Sequence, residues 1–480
     1  MKRTLASKPG PAPARSPIFP NPSSRHALHA ICFGFFLVLL DTTALNVAMV
    51  PMEHQLGEGI SGLQWVVNGY TLVFASFLLT AGAVGDRVGA KRVYQAGLAL
   101  FTGMSLVSAL APTAGWLIGA RVLQGLGAAF MLPGSLSLLS HAFPEPEQRA
   151  RAVGFWAGVV SLGFAAGPVL GGILTHCFGW RSIFWLNVPV GVLALGMNHR
   201  FVTEARVDQP RRIDWRGQTF ILLALFTLNF GLIQAGPAGW TSPMTLGALA
   251  LTIGLGLAFL YTEKRSVSPV LPPALLANRT FSVCILIGAA LNFTMYGTLF
   301  IESLHLQNGR HFGALRTGLT IIPFTILPTV TTRLVARYNG RQFIKARLVC
   351  GQLLVVAGLI FLALALDENG IALTLTGLGL MGVAMGLIMP AMTAGVLAAA
   401  PPAMSGLAAG LLNSSRQVGG MLGVALMGAL VATNGLRGMV WSFGLTVAAL
   451  LVMTVIIQRF VRSGDTPATP LLLGETIPGE

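Results

Sequence analysis

The sequence predicts an all-α integral membrane protein of about fourteen transmembrane helices, and three observations carry that reading. The first is composition. Of 480 residues only 10% are charged, 54% are hydrophobic, and the mean hydropathy is +0.73. A soluble protein carries roughly 25% charged residues, so a chain this long could not coat itself for water. The second is the recurrence of apolar runs of about 20 residues, the length that spans a bilayer core. The third is the placement of the basic residues, which collect on alternate connections between those runs. The 58 glycines suit helices that approach one another closely in lipid.

The runs lie at 28–50, 63–83, 93–111, 115–138, 152–174, 183–199, 218–235, 243–261, 281–304, 315–334, 346–366, 371–391, 406–432 and 438–458. Their connections are short and leave no room for a soluble domain. Residues 1–26 hold six prolines and five basic residues and read as a disordered tail. The polar end, 461–480, reads likewise. The first run is too long for the apolar region of a cleaved leader.

The net charge is +15, from 31 Lys and Arg against 16 Asp and Glu. With the N-terminus inside, 25 of the 31 basic residues fall on the inner connections and tails, and four (Arg181, Arg310, Arg316, Arg437) on the outer ones. Under the positive-inside rule this orients the chain with both termini cytoplasmic. The excess is then topological, and no nucleic-acid surface is expected. The four cysteines are far apart and form no disulfide framework or metal motif. No metal and no catalytic cluster is expected.

Charges inside the runs stand out, because each costs about 2.5–3.5 kcal/mol at a helix centre. Asp41 lies mid-way along the first helix, Arg121 in the fourth, Arg416 in the thirteenth, and Glu302 toward the outer end of the ninth. A low dielectric disfavours the charged form of a carboxyl, which makes Asp41 a candidate proton carrier. The alternative is a carboxyl held by a buried hydrogen bond or an arginine, without titration. Glu302 is a second candidate, the alternative being an acid facing external water.

Three motifs add to these. GAVGDRVGAKR joins helices two and three: Gly82 and Gly89 permit close approach and a tight turn, Asp86 can meet a helix N-terminus or an arginine, and Arg87, Lys91 and Arg92 hold the loop inside. RVLQGLGAA places Arg121, Gln124 and Gly125 in the fourth helix. GFWAGVVSLGFAAGPVLGG in the fifth carries Gly154, Gly163, Gly167, Gly171 and Gly172, with Pro168. Positions 163, 167 and 171 repeat every four residues as a flat small-residue face, and the proline invites a bend.

These motifs, with LDTTALNVAMVP, GWRSIFWLNVPVG and NSSRQVGGMLGVAL, resemble the fourteen-helix drug:proton antiporter branch of the major facilitator superfamily over residues 27 to 460. The resemblance implies an N-terminal six-helix bundle over 27–200, two inserted helices with linkers over 201–280, and a C-terminal six-helix bundle over 281–460. It implies multidrug or antibiotic efflux across a bacterial cytoplasmic membrane, powered by the proton motive force without a cofactor, by a monomer. Asp41 matches the first-helix acidic site, Arg121 the arginine linked to proton coupling, and Asp86 the loop residue that stabilises one conformation. The chain departs from the pattern at Ala90, where a basic residue is common, at Glu302, and at 338–341, which lacks any Asp.

The expected mechanism is alternating access around a cavity between the bundles. The expected cargo is a small hydrophobic or amphipathic compound, with protons as the other partner. Polar and aromatic cavity candidates are Asn46, Gln64, Trp65, Asn68, Tyr70, Asn292, Tyr296 and Asn413, each of which can equally serve helix packing. The main alternative is a uniporter or symporter of a small metabolite on the same fold. A membrane enzyme would need clustered His, Asp or Glu, and a sensor a soluble output domain; neither is present.

Overall fold

A computed structural model describes residues 22–204, 213–266, 269–335, 343–366, 370–401 and 404–461. Its fourteen long helices are α1 (Pro22–Leu56), α2 (Ile60–Val88), α3 (Ala90–Ala109), α4 (Ala114–Ala142), α5 (Pro146–Phe178), α6 (Arg181–Phe201), α7 (Trp215–Ala238), α8 (Pro243–Arg265), α9 (Arg279–Leu304), α10 (Ala314–Val335), α11 (Ile344–Leu364), α12 (Ile371–Ala399), α13 (Ser405–Asn434) and α14 (Leu436–Phe460). Among the described residues there is no strand. A single helical turn, Pro273–Leu276, precedes α9, and a π-helical turn, His305–Gly309, extends it. Twelve of the long helices are apolar and long enough to cross a membrane. The other two, α3 and α6, carry Lys91 and Arg92, or Arg181, His199 and Arg200, within 20 and 21 residues.

Each apolar run of the sequence becomes a helix, with ends displaced by a few residues. The largest shift is at the end of α12, which runs eight residues past its apolar run to Ala399; the start of the chain also changes. Residues 22–26, read from the sequence as tail, open α1. A proline is tolerated in the first turn, where its missing N–H has no partner to lose, and His26 stacks on Phe201 of α6 at 4.7 Å. The remaining tail residues, 1–21 and 462–480, and the stretch 338–341 lie outside the described residues.

The helices pack as a repeated plan. In the first half α1 lies on α5 and α6, α2 on α4, and α3 on α4 and α6. The second half repeats this, with α9 on α13 and α14, α10 on α12, and α11 on α12 and α14. The halves meet along α2–α13 and α5–α10, and the inserted pair α7–α8 leans on α2 and α13 through α7. That attachment is polar: Asn68 Nδ2 donates to Asn229 Oδ1 at 2.8 Å, and Gln218 joins Thr80 and the Ser76 carbonyl at 2.6 and 2.9 Å. Amides deep in an apolar span are costly unless paired, so these contacts fix α7 against α2.

The seam between halves is closed at the end remote from the termini. Gln64 Nε2 donates to the Val424 and Ala425 carbonyls, both at 2.8 Å. Ser303 Oγ donates to the Asn46 carbonyl at 2.6 Å, and Asn308 Nδ2 to Glu53 at 3.2 Å. At the terminus-bearing end a cavity of about 670 Å³ opens instead. Its walls include Leu79, Gly82 and Asp86 of α2, Pro133 and Ser137 of α4, and Asn413 of α13.

Candidate functional site

The first-half site is a sealed ion pair. Asp41 on α1 and Arg121 on α4 are 0% and 1% exposed, with Arg121 NH1 2.5 Å from Asp41 Oδ2. Removing two charges from water is expensive and is repaid only when the remaining donors and acceptors are also met. Here they are. Arg121 NH1 also donates to Gln124 Oε1 at 2.8 Å, and its Nε to the Val66 carbonyl at 3.3 Å. Asp41 Oδ1 accepts from Asn187 at 2.8 Å and from Gln124 at 3.3 Å, and Gln124 donates to Ser105 at 2.9 Å. The guanidinium carbon lies 4.4 Å from the Tyr70 ring centroid and 5.8 Å from that of Phe184. Four helices of the first bundle, and the α2 backbone, therefore join in one network around the ion pair.

Sequence reasoning selects Asp41, Arg121, Gln124 and Tyr70 but misses Ser105 and Asn187. Asn187 had a signal: it is an amide within the apolar α6, two residues before its mid-helix proline Pro189. Ser105 had none, since a serine in a membrane helix usually bonds its own backbone, as Ser105 Oγ also does with Phe101 at 2.8 Å.

The motif glycines serve close approach. A Cβ at Gly163 would lie 2.9 Å from the Phe36 carbonyl, at Gly171 2.7 Å from the Ala44 carbonyl, and at Gly167 on the Thr43 side chain. These three make the α5 face that receives α1. Gly172 faces the other half, where a Cβ would lie 2.9 Å from the Ala314 carbonyl, while the Pro168 carbonyl abuts Gly318 of α10. Gly154 has open space around it, and Gly82 meets only Pro133 at 3.8 Å. In α4, Gly125 lies on the Tyr70 backbone.

In the α2–α3 loop, Gly89 has φ +113°, a conformation L side chains rarely adopt. A Cβ there would also lie 2.6 Å from Glu204 Oε1. Glu204, just beyond α6, accepts from the Lys91 backbone N–H at 2.9 Å and lies 3.7 Å from Arg92 Nε. It caps α3, where the helix dipole favours an anion. The Lys91 ammonium reaches the His199 carbonyl at 3.1 Å. Asp86 and Arg87 are both engaged in interactions of their own, and Asp86 lines the cavity. Glu204 escapes a reading of the motif because it lies more than a hundred residues away.

The cavity candidates separate into two groups. Gln64 and Asn68 close the seam, Asn68 Nδ2 also reaching the Met421 carbonyl at 3.0 Å. Trp65 packs on Phe226 and Phe230 of α7 at 5.8 and 6.3 Å, Tyr70 lies against Arg121, and Asn46 bonds its own helix at Thr42 and Thr43. None of these five lines the cavity. The second group gathers in the other half. Asn292 and Asn413 accept from Arg416 Nε and NH1 at 3.4 and 3.3 Å, and Tyr296 lies on α9 one turn beyond Asn292, its ring against Gly420. Glu302 is 1% exposed, and its Oε2 has no hydrogen-bond partner. It does not face water.

Comparison with known proteins agrees with this architecture. Residues 31–424 match the Major Facilitator Superfamily model, and the chain belongs to that family, a class of transporters rather than enzymes. It is therefore a multi-pass membrane protein. It is 35% identical to the methylenomycin A resistance protein of Streptomyces coelicolor over 423 residues, 88% of each chain. It is also 35% identical to the multidrug resistance protein Stp of Mycobacterium tuberculosis, over 84% of this chain and 75% of that one. Its place is in the fourteen-helix drug-efflux branch, beside the methylenomycin A resistance proteins. A POT family transporter solved with 5-aminolevulinic acid shares the fold, with a TM-score of 0.70 at 13% identity, covering 91% of this chain and 96% of the other.

Proposed function

We propose that the protein exports small hydrophobic or amphipathic drugs or antibiotics across a bacterial cytoplasmic membrane in exchange for protons, by alternating access. The observation that carries the reading is the sealed Asp41–Arg121 pair within the membrane span, in a chain whose relatives are named for resistance and efflux. Placing the termini in the cytoplasm follows the bias of basic residues and turns the 670 Å³ cavity toward the cytoplasm, where cargo would enter.

A proton reaching Asp41 from outside neutralises its carboxylate and ends the ion pair, leaving Arg121 its bonds to Gln124 and the Val66 carbonyl. Loss of that proton toward the cytoplasm restores the pair. A ligand shifts a two-state equilibrium only by its differential affinity for the states, and the pair supplies that difference for the proton. One charge crossing 100 mV is worth about 2.3 kcal/mol. Asp86 and the α2–α3 loop would stabilise one state, and Glu302 would serve as a second acidic group. The unit of function is the monomer, with the proton motive force in place of a cofactor.

Purified protein in vesicles with an imposed pH gradient tests this. Asp41→Asn should insert and fold but lose gradient-driven export; undiminished export by that variant would falsify the proton-carrier role. The direction of flux separates an antiporter from a uniporter or symporter.

A further inference from the structure

Arg416 is the second arginine within a membrane span, and it is not neutralised. Among the described residues no carboxylate forms an ion pair with it, in contrast to Arg121, which holds Asp41. Glu302 on the facing helix is ten residues beyond Asn292, about 15 Å along α9. The aliphatic stem of Arg416 lies on Gly288, where a Cβ would be 3.1 Å from its Cγ. That backbone contact aims the guanidinium between α13 and α9.

What it meets there is sparse. Two neutral amide oxygens accept at 3.4 and 3.3 Å, from Asn292 and Asn413, at the long end of the hydrogen-bond range. With its oxygen turned to Arg416, Asn292 presents its Nδ2, which is buried without a partner in a residue 2% exposed. The set is thus rich in donors and poor in acceptors. A buried polar group without a partner costs about 1–3 kcal/mol, and a cation in the span costs more. Arg416 itself is only half-buried. Asn413, one turn toward the termini on α13, lines the cavity, so the guanidinium lies directly behind a wall residue, its NH1 3.3 Å from Asn413 Oδ1.

We propose that Arg416, with Asn292 Nδ2, binds an anionic group, a carboxylate carried by an amphipathic cargo entering from the cavity. A guanidinium holds a carboxylate through two parallel hydrogen bonds, and the Asn292 amide adds a third donor to one of its oxygens. Tyr296, one turn further along α9, offers an apolar ring for the body of such a compound. The proposal rests on the export reading for its biological meaning but is tested apart from it.

The probes are 1-naphthaleneacetate and 1-naphthaleneacetamide, equal in shape and different in charge, added to the purified full-length protein while its melting temperature is followed. The acid should raise the melting temperature in a saturable manner and the amide should not. Arg416→Gln should raise the half-saturating concentration at least tenfold, and Arg416→Lys should retain weaker, still acid-selective binding, which guards against a folding defect in the glutamine variant. Equal responses to acid and amide, or an unchanged response in Arg416→Gln, overturn the site. Acid-selective binding without gradient-driven flux of any compound in vesicles would leave the site standing and defeat the export reading. Gradient-driven export with no preference for the acid would do the reverse.

Discussion

The two halves repeat one packing plan and differ in what they do with charge. In the first half α5 receives α1 on Gly163, Gly167 and Gly171; in the second, Gly419 and Gly423 of α13 abut the Ala289 and Phe293 carbonyls of α9. The backbone contacts are equivalent. The charges are not: Arg121 has a carboxylate, two further acceptors in Gln124 and the Val66 carbonyl, and an aromatic face, whereas Arg416 has two amide oxygens. Packing needs the same small residues in both halves, while charge in a span is retained only where something uses it. On that argument the first half closes its buried charge with a partner and the second leaves one open, as the proposed proton and anion roles would require.

The sharpest way to break the comparison is to remove each arginine. Arg121→Ala strands Asp41 in a fully buried position, and breaking a buried pair costs about 3–5 kcal/mol. The double variant Asp41→Asn with Arg121→Gln should recover most of that loss without recovering transport. Arg416→Ala should melt at or above the wild-type temperature, because it removes an uncompensated charge. Equal destabilisation in both halves, by thermal melts of purified protein, would show that Arg416 has a partner as strong as Asp41.

Next in size is the helix face. Gly167→Leu drives a side chain into Thr43, and overpacking costs about 1–3 kcal/mol; α1 and α5 would separate and export should fall while protein remains in the membrane. Gly154→Leu, with open space around it, should behave as wild type. Matched losses in the two variants would mean that the glycine face is not what holds α1.

Glu302→Gln sharpens the charge argument. The substitution keeps size and removes an ionisable group whose Oε2 has no donor to lose, so the melting temperature should hold or rise by the equivalent of about 1 kcal/mol. A fall of that size would reveal a donor that only a carboxylate can satisfy.

How much of this was legible follows from what each feature depends on. All fourteen helices were readable, because a span requires about 20 apolar residues in a row and the chain supplies them. Asp41 and Arg121 were readable singly, as expensive charges, but their pairing was not: residues 80 apart on α1 and α4 meet only once the bundle exists. Gln64, Asn68 and Trp65 looked like cavity residues because amides and indoles suit either use. Only the helix-to-helix geometry places them on the seam and on α7. Glu302 had a solvent-facing acid as its alternative because it lies near a helix end, yet α9 continues past it into a π-helical turn and Glu302 is buried.

The smallest expected effect belongs to Glu204, and it tests whether the α2–α3 loop is held as the rest of the first half is, by charge. Glu204 accepts the Lys91 N–H at the start of α3 and sits beside an Arg92 that is 65% exposed. The Arg92 contact should therefore contribute little, and the cap about 0.3–1 kcal/mol. Glu204→Gln keeps an oxygen for the N–H and should lose only the charge component, a shift in melting temperature that 0.5 M salt erases. Gly89→Ala should cost more than Glu204→Gln, because it forces a Cβ into both a positive φ and the Glu204 carboxylate. In the double variant Gly89→Ala with Glu204→Ala the clash is gone and only the backbone penalty stays. If the double variant is no more stable than Gly89→Ala alone, the glycine is required by its dihedral angle and Glu204 merely fills the space beside it.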